Sequence, residues 1–165
     1  FERWVPRNLD ASYKKKNLPA LKLFFIGFFL VQIILPFRFL KYNSDLLWKE
    51  QGYRFSWRVM LMEKAGSITF RVKDNNSGRE GIFDHQAYLT QLQEIQMATQ
   101  PDMILDMAYH IKKIMKEQGH EDISVFAEGY VTLNGSGSKA FTKPEIDLLS
   151  LEDGYTNRSW IYDWK

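Results

Sequence analysis

The sequence predicts an α+β chain: one transmembrane helix, then an antiparallel β-sheet domain of about five strands with two helices. Three observations predict it. An unbroken apolar run from Leu18 to Phe37 has the length that spans a bilayer core. Behind it, apolar and polar residues alternate in the two-residue rhythm of strands. Between those strands lie two stretches with helical spacing, the clearer one running from Pro101 to Gln118. The implied organisation is a basic cytoplasmic segment over residues 1–17, a membrane helix over 18–38 and an extracytoplasmic domain over 39–165.

The apolar run is Leu-Pro-Ala-Leu-Lys-Leu-Phe-Phe-Ile-Gly-Phe-Phe-Leu-Val-Gln-Ile-Ile-Leu-Pro-Phe. It is apolar on every face, unlike the one-sided stripe of a helix packed on a soluble core. Lys22 lies near enough to its start to snorkel, Gln32 is placed to bond to a neighbouring helix, and Pro19 suits a first turn. Arg3, Arg7, Lys14, Lys15 and Lys16 precede it with few acids, which puts the preceding flank in the cytoplasm and the rest on the far side. Phe37, Phe39, Tyr42 and Trp48 follow, rings that favour the headgroup level.

The domain then reads in order. In Arg54–Met62, the residues Phe55, Trp57, Val59 and Leu61 alternate onto one face of a first strand. Glu63–Gly66 reads as a turn. Ile68, Phe70 and Val72 mark a second strand, Asp74–Gly78 a second turn, and Arg79–Phe83 a short third strand. One helix is expected from His85 to about Thr99. The next carries Met103, Ile104, Met107, Ala108, Ile111, Ile114 and Met115 as one stripe, with early acids, late lysines and Gly119 at its end. Ile123–Leu133 and Lys139–Leu148 form the last strand pair around Asn134-Gly135, with Pro144 confining the final strand to an edge.

Composition excludes several functions. Net charge is +2, from 22 basic and 20 acidic residues, so no concentrated basic face points to nucleic acid. The chain has no cysteine, which removes disulfides, thiolate metal sites and a cysteine nucleophile. His85, His110 and His120 lack a second ligand at helical metal-site spacing, so no metal is expected. Gly135 and Gly137 sit in a hairpin, not between strand and helix, and make no phosphate loop. Asn75, Asn134 and Asn157 begin Asn-x-Ser patterns that turn preference explains. Glu128, between Phe126 and Tyr130, reads as part of a solvated sheet face. The start at Phe1, without Met or a signal-peptide pattern, leads to the expectation of a fragment of something longer.

One segment stands out: Trp48-Lys-Glu-Gln-Gly-Tyr53-Arg-Phe-Ser56-Trp57-Arg58, which packs aromatic rings and a hydroxyl just after the membrane run. Interfacial anchoring plus strand core accounts for it on composition alone. Its spacing, with Leu35-Pro36-Phe37 upstream, resembles the vitamin K-dependent γ-glutamyl carboxylase family, bacterial homologues included. Phe1–Arg7, Tyr130–Leu133 and Lys143–Asp147 are similar to further stretches of that family.

The resemblance implies an integral membrane enzyme. Oxygenation of reduced vitamin K, with oxygen and carbon dioxide as co-substrates, supplies the strong base needed to take a proton from the γ-carbon of a peptide glutamate. It implies the lipid bilayer, upstream membrane helices of the same protein and a glutamate-containing peptide as partners. It also implies glutamate handling by Trp48, Tyr53, Ser56 and Trp57: positioning by Tyr53 and Trp57, a hydrogen bond from Ser56, and support from Trp48. The family's base-activating lysine lies in earlier membrane helices, so this part alone is expected to be inactive, with no catalytic residue of its own. The chain departs from animal members at Met62, where they carry histidine, and at Arg58, where an acid is frequent. Both departures fall near the expected glutamate site and bear on carboxylation more than on quinone oxygenation. The short loops also fit a bacterial homologue, an inner-membrane protein with its domain in the periplasm, or in the endoplasmic reticulum lumen if eukaryotic. Two rival readings stay open from the residues: a membrane-anchored extracytoplasmic protein-binding domain without catalysis, and a soluble protein with a buried central helix.

Overall fold

A computed structural model describes residues 18–42, 45–58, 60–151 and 158–164. The basic segment 1–17, Val59 and Asn157 lie outside the described residues. The chain divides into two compact units, Phe1–Leu35 and Pro36–Lys165.

In the first unit, α1 spans Leu18–Ile34. A 3₁₀ turn over Leu35–Lys41 follows in the chain and carries it into the second unit. Pro36 lacks the N–H that the next α-helical hydrogen bond needs, so the tighter turn follows directly. Pro19–Lys41, 23 residues with a mean hydropathy of 2.2, is long and apolar enough to cross a membrane. Leu23, Phe24, Phe25 and Ile26 are consecutive, point around the whole helix, and are all exposed. At roughly 25 cal/mol per Å² of apolar surface, such an all-round face is strongly disfavoured in water and suited to lipid.

The second unit is a two-layer α+β domain. Its elements are α2 (Leu46–Lys49), β1 (Lys64–Asp74), β2 (Glu80–Phe83), α3 (Gln91–Met97), α4 (Pro101–Glu117), β3 (Ile123–Leu133) and β4 (Lys139–Ala140). The antiparallel sheet has the order β2-β1-β3-β4. β1 and β3 pair along their whole lengths, from Lys64 opposite Leu133 to Asp74 opposite Ile123. Ile68, Phe70 and Val72 of β1 and Val125, Ala127 and Val131 of β3 meet Ile104, Leu105, Ala108 and Ile111 of α4 in one core. The other face carries Thr69, Arg71, Glu128 and Tyr130 in solvent, and the Tyr130 hydroxyl donates to Glu128 at 3.0 Å.

The sheet has four strands among the described residues, where about five were expected. The missing one is Arg54–Met62. Its alternating residues are not buried: Phe55, Trp57 and Leu61 are exposed. Phe55, Trp57 and Met60 also have positive φ, which no strand tolerates. Glu63–Gly66 is correspondingly no turn. Lys64 already opens β1, and Gly66 is needed because a Cβ there would lie 2.5 Å from the Tyr130 carbonyl. The expected helix from His85 divides into a 3₁₀ turn, Gln86–Tyr88, and α3. Thr90 starts α3 through a reciprocal capping box with Gln93.

The expected strand Lys139–Leu148 contracts to Lys139–Ala140. Beyond it, side chains complete the edge of β3. Thr142 Oγ1 accepts from Gly129 N–H and donates to the Ala127 carbonyl, both at 2.8 Å, and Asp147 Oδ1 accepts from Val125 N–H at 3.0 Å. Buried backbone groups are thereby satisfied without a longer β4. Thr142 also bridges to Ile161, which brings the end of the chain onto this edge.

Candidate functional site

The segment singled out by sequence begins on α2. Trp48 is 1 % exposed and is one of the largest core side chains. Its indole N–H donates to the Tyr162 carbonyl at 2.8 Å. Its ring meets Phe141 edge-on at 4.9 Å and Trp164 at 4.7 Å. The Lys49 ammonium reaches Asp163 at 2.5 Å, Arg158 Nη1 donates to the Lys49 carbonyl at 2.8 Å, and Gln51 Oε1 accepts from Arg158 N–H at 3.2 Å. Residues 158–164 therefore staple α2 to the sheet.

Lys64 fastens the other side. Its side chain is 4 % exposed, and Nζ donates to Glu50 Oε1 at 2.6 Å and to the Trp48 carbonyl at 2.7 Å. The Thr99 carbonyl lies at 3.5 Å. The ammonium sits 5.9 Å from the Trp48 ring centre and 5.4 Å from that of Phe141. Burial pushes the Lys64 pKa below the usual lysine range, while the charge and hydrogen bond of Glu50 oppose the shift. Glu50 itself closes α2 in the left-handed region at φ 57°. One buried cation thus ties α2, the start of β1 and the end of α3 together.

From this platform the chain runs out as a strap. Gly52 has φ 74°, and a Cβ there would lie 2.7 Å from the Phe39 Cα, so glycine is required twice over. Arg58 returns to the same place, with its guanidinium 4.5 Å from the Phe39 ring centre. Between them, Ser56 is buried, and its hydroxyl donates to the Tyr53 carbonyl at 2.6 Å, beside a Ser56 N–H bond to the same oxygen at 3.1 Å. Tyr53 is half-buried and lines a cleft of about 470 Å³ with Glu50, Arg54, Met62, Lys64 and Gln100. Arg54 is held at its margin by an ion pair, with Nη2 2.5 Å from Asp102. Trp57, at φ 56°, is 78 % exposed.

The four residues picked out by sequence therefore do different things. Trp48 is platform core, Ser56 holds the turn at Tyr53, Tyr53 faces the cleft, and Trp57 stands in solvent. Tyr53, Ser56 and Trp57 share a strap, not a single pocket, and Trp48 lies in the platform before it. Sequence reasoning missed Glu50, Lys64 and the Arg54–Asp102 pair. No spacing rule links Glu50 to Lys64, since 14 residues separate them and Lys64 reads as part of a turn. Of the histidines, His85 is buried edge-on against Phe70, His110 meets Tyr88, and His120 bonds to Asp74 at 3.1 Å.

An apolar helix long enough to cross a bilayer, followed by a two-layer α+β domain with an aromatic strap and a polar cleft, defines a class: the extramembrane domain of a membrane-linked protein. A family model described as vitamin K-dependent gamma-carboxylase, lumenal domain, matches residues 17–165. The chain belongs to that family, and the match covers nearly all of it. No curated protein and no solved structure matches.

Proposed function

We propose that the chain is the C-terminal portion of a vitamin K-dependent gamma-carboxylase-like integral membrane enzyme, in which it positions the glutamate of a peptide substrate. The observation that carries this reading is the strap itself. Family membership covers it, a buried platform fixes it, and it brings Tyr53 to a cleft. On this reading Tyr53 orients the peptide, Trp57 closes over it, Ser56 holds the turn that aims Tyr53, and Trp48 supports all three. An aromatic cover suits a reaction in which water would quench the carbanion.

The cleft does not suit reduced vitamin K. Its lining includes Glu50, Arg54, Glu63, Lys64, Gln96 and Gln100, which fit a peptide better than a long apolar quinone. Quinone oxygenation is therefore assigned to upstream membrane helices, where oxygen reacts, while carbon dioxide adds to the carbanion of the glutamate that this domain presents to the base formed there. Met62, in place of the histidine of animal members, is half-buried against the core. Arg58, in place of an acid, packs on Phe39. We place the domain on the periplasmic side of a bacterial inner membrane.

The test is an assay of the full-length protein with reduced vitamin K and labelled carbon dioxide, scoring epoxide and carboxylated peptide separately. Both products are expected. Epoxide alone would place the effect of Met62 on carboxylation, and neither product would end the enzymatic reading. Tyr53→Ala and Trp57→Ala are expected to raise the KM for peptide about tenfold, equivalent to about 1.4 kcal/mol, with expression unchanged. Equal loss of expression and activity would instead mark both rings as packing residues.

A further inference from the structure

Part of the strap is not used by the proposed substrate site. Phe55, Met60 and Leu61 are large, apolar and exposed, Met60 at 95 %. Phe55 and Met60 hold φ of 66° and 57°, a left-handed conformation that is uncommon outside glycine. Water does not offset the cost of holding such side chains outward, whereas an apolar phase does.

Position identifies that phase. Phe39 lies within the apolar stretch Pro19–Lys41, close to its end. Gly52 packs against the Phe39 backbone where the strap departs, and the Arg58 guanidinium covers the Phe39 ring before it ends. Phe55 lies between these two contacts in the sequence, and Met60 and Leu61 follow shortly after the second. The strap is therefore pinned to the end of the apolar stretch. Arg58 supplies a cation at that level, suited to phosphate headgroups.

We infer that Phe55, Met60 and Leu61 insert into the interfacial layer of the bilayer, giving the chain a second membrane contact in addition to α1. This rests on α1 being embedded in the membrane and not on the carboxylase chemistry. Tyr53 keeps the cleft, and the three apolar side chains take the lipid.

The chain's lack of cysteine makes the test direct. In the full-length protein, with any other cysteines replaced, a nitroxide is attached at Met60→Cys, at Leu23→Cys in α1 and at Ile82→Cys on exposed β2. Each is measured in nanodiscs containing anionic lipid for collision with oxygen, which partitions into lipid, and with a water-soluble nickel chelate. Met60 is expected to follow Leu23, with oxygen collisions exceeding nickel collisions several-fold, while Ile82 shows the reverse. Met60 behaving like Ile82 while Leu23 reads as lipid overturns the inference alone. So does shielding of Met60 from both reagents, which means protein covers it, or shielding from nickel only after a glutamate-containing peptide is added. Leu23 reading as water removes the membrane assignment of α1 and the inference with it.

Discussion

β1 and the strap before it carry the same kind of sequence and do opposite things. In β1, Ile68, Phe70 and Val72 alternate and are buried. In the strap, Phe55, Trp57 and Leu61 alternate and are exposed. The difference is what stands opposite. β1 has β3 beside it over eleven residues and α3 and α4 over its face. The strap has no strand beside it among the described residues: it is held at its ends against Phe39, by Gly52 and Arg58, and between them by the Arg54–Asp102 pair. Alternation reports that a face will be apolar. It does not report whether protein or something else will cover that face.

The sharpest way to separate the two regions is to truncate matched rings. Phe70→Ala is expected to cost about 3–5 kcal/mol in a denaturation experiment, since it empties a fully buried site. Phe55→Ala in detergent should stay within about 0.5 kcal/mol of the parent. Comparable losses would mean that the strap is core after all. Next in size is Lys64→Met, which strands the largely buried Glu50 carboxylate and should cost about 3 kcal/mol, read as a fall in Tm. Adding Glu50→Gln to that variant should restore part of the loss.

Gly52→Ala tests whether the strap is an independent unit. The new Cβ meets backbone at positive φ, so about 2 kcal/mol is expected. Hydrogen exchange should accelerate at the amides of residues 50–58 and stay unchanged at Val125. A uniform acceleration would tie strap and sheet into one cooperative block.

The smallest effect is expected far from the strap, in the β1–β2 turn. The Asp74 carboxyl is held at about 2, first by the Ser77 hydroxyl, then by the Asn76 N–H and the His120 ring. A depressed carboxylate stabilises the fold fully above its unfolded pKa of about 4, and the contribution is lost as pH falls towards 2. Asp74→Asn should therefore flatten that acid limb of the stability curve and lower the plateau above pH 5 without changing its slope.

Much of the domain could be read from local chemistry. β3 starts and ends where its alternation does, α4 follows its stripe and its Pro101 start, and Asp74–Gly78 turns as its composition demands. The misreadings have physical causes. The His85 helix breaks because Thr90 caps a new one, a signal visible in Thr90-x-x-Gln93 but outweighed by the apolar spacing. β4 stops early because Thr142 and Asp147 side chains substitute for its backbone, which no period encodes. The site was legible as a segment and illegible as a geometry. Trp48 and Tyr53 announce themselves as aromatics, but the Lys64 ammonium that holds the Trp48 platform is brought there by tertiary contact alone.

The staple made by residues 158–164 bears on how the protein is synthesised. Trp48 finds its hydrogen-bond acceptor 114 residues later, at Tyr162. A ribosome adding about 5–20 residues per second leaves that partner missing for roughly 6–23 s after Trp48 is made. During that interval the β1–β3 ladder and its helices can form while the Trp48 platform lacks its clasp. The strap is then among the last parts of the domain to mature, and a chain interrupted before Arg158 would present a folded sheet beside an unfastened aromatic segment.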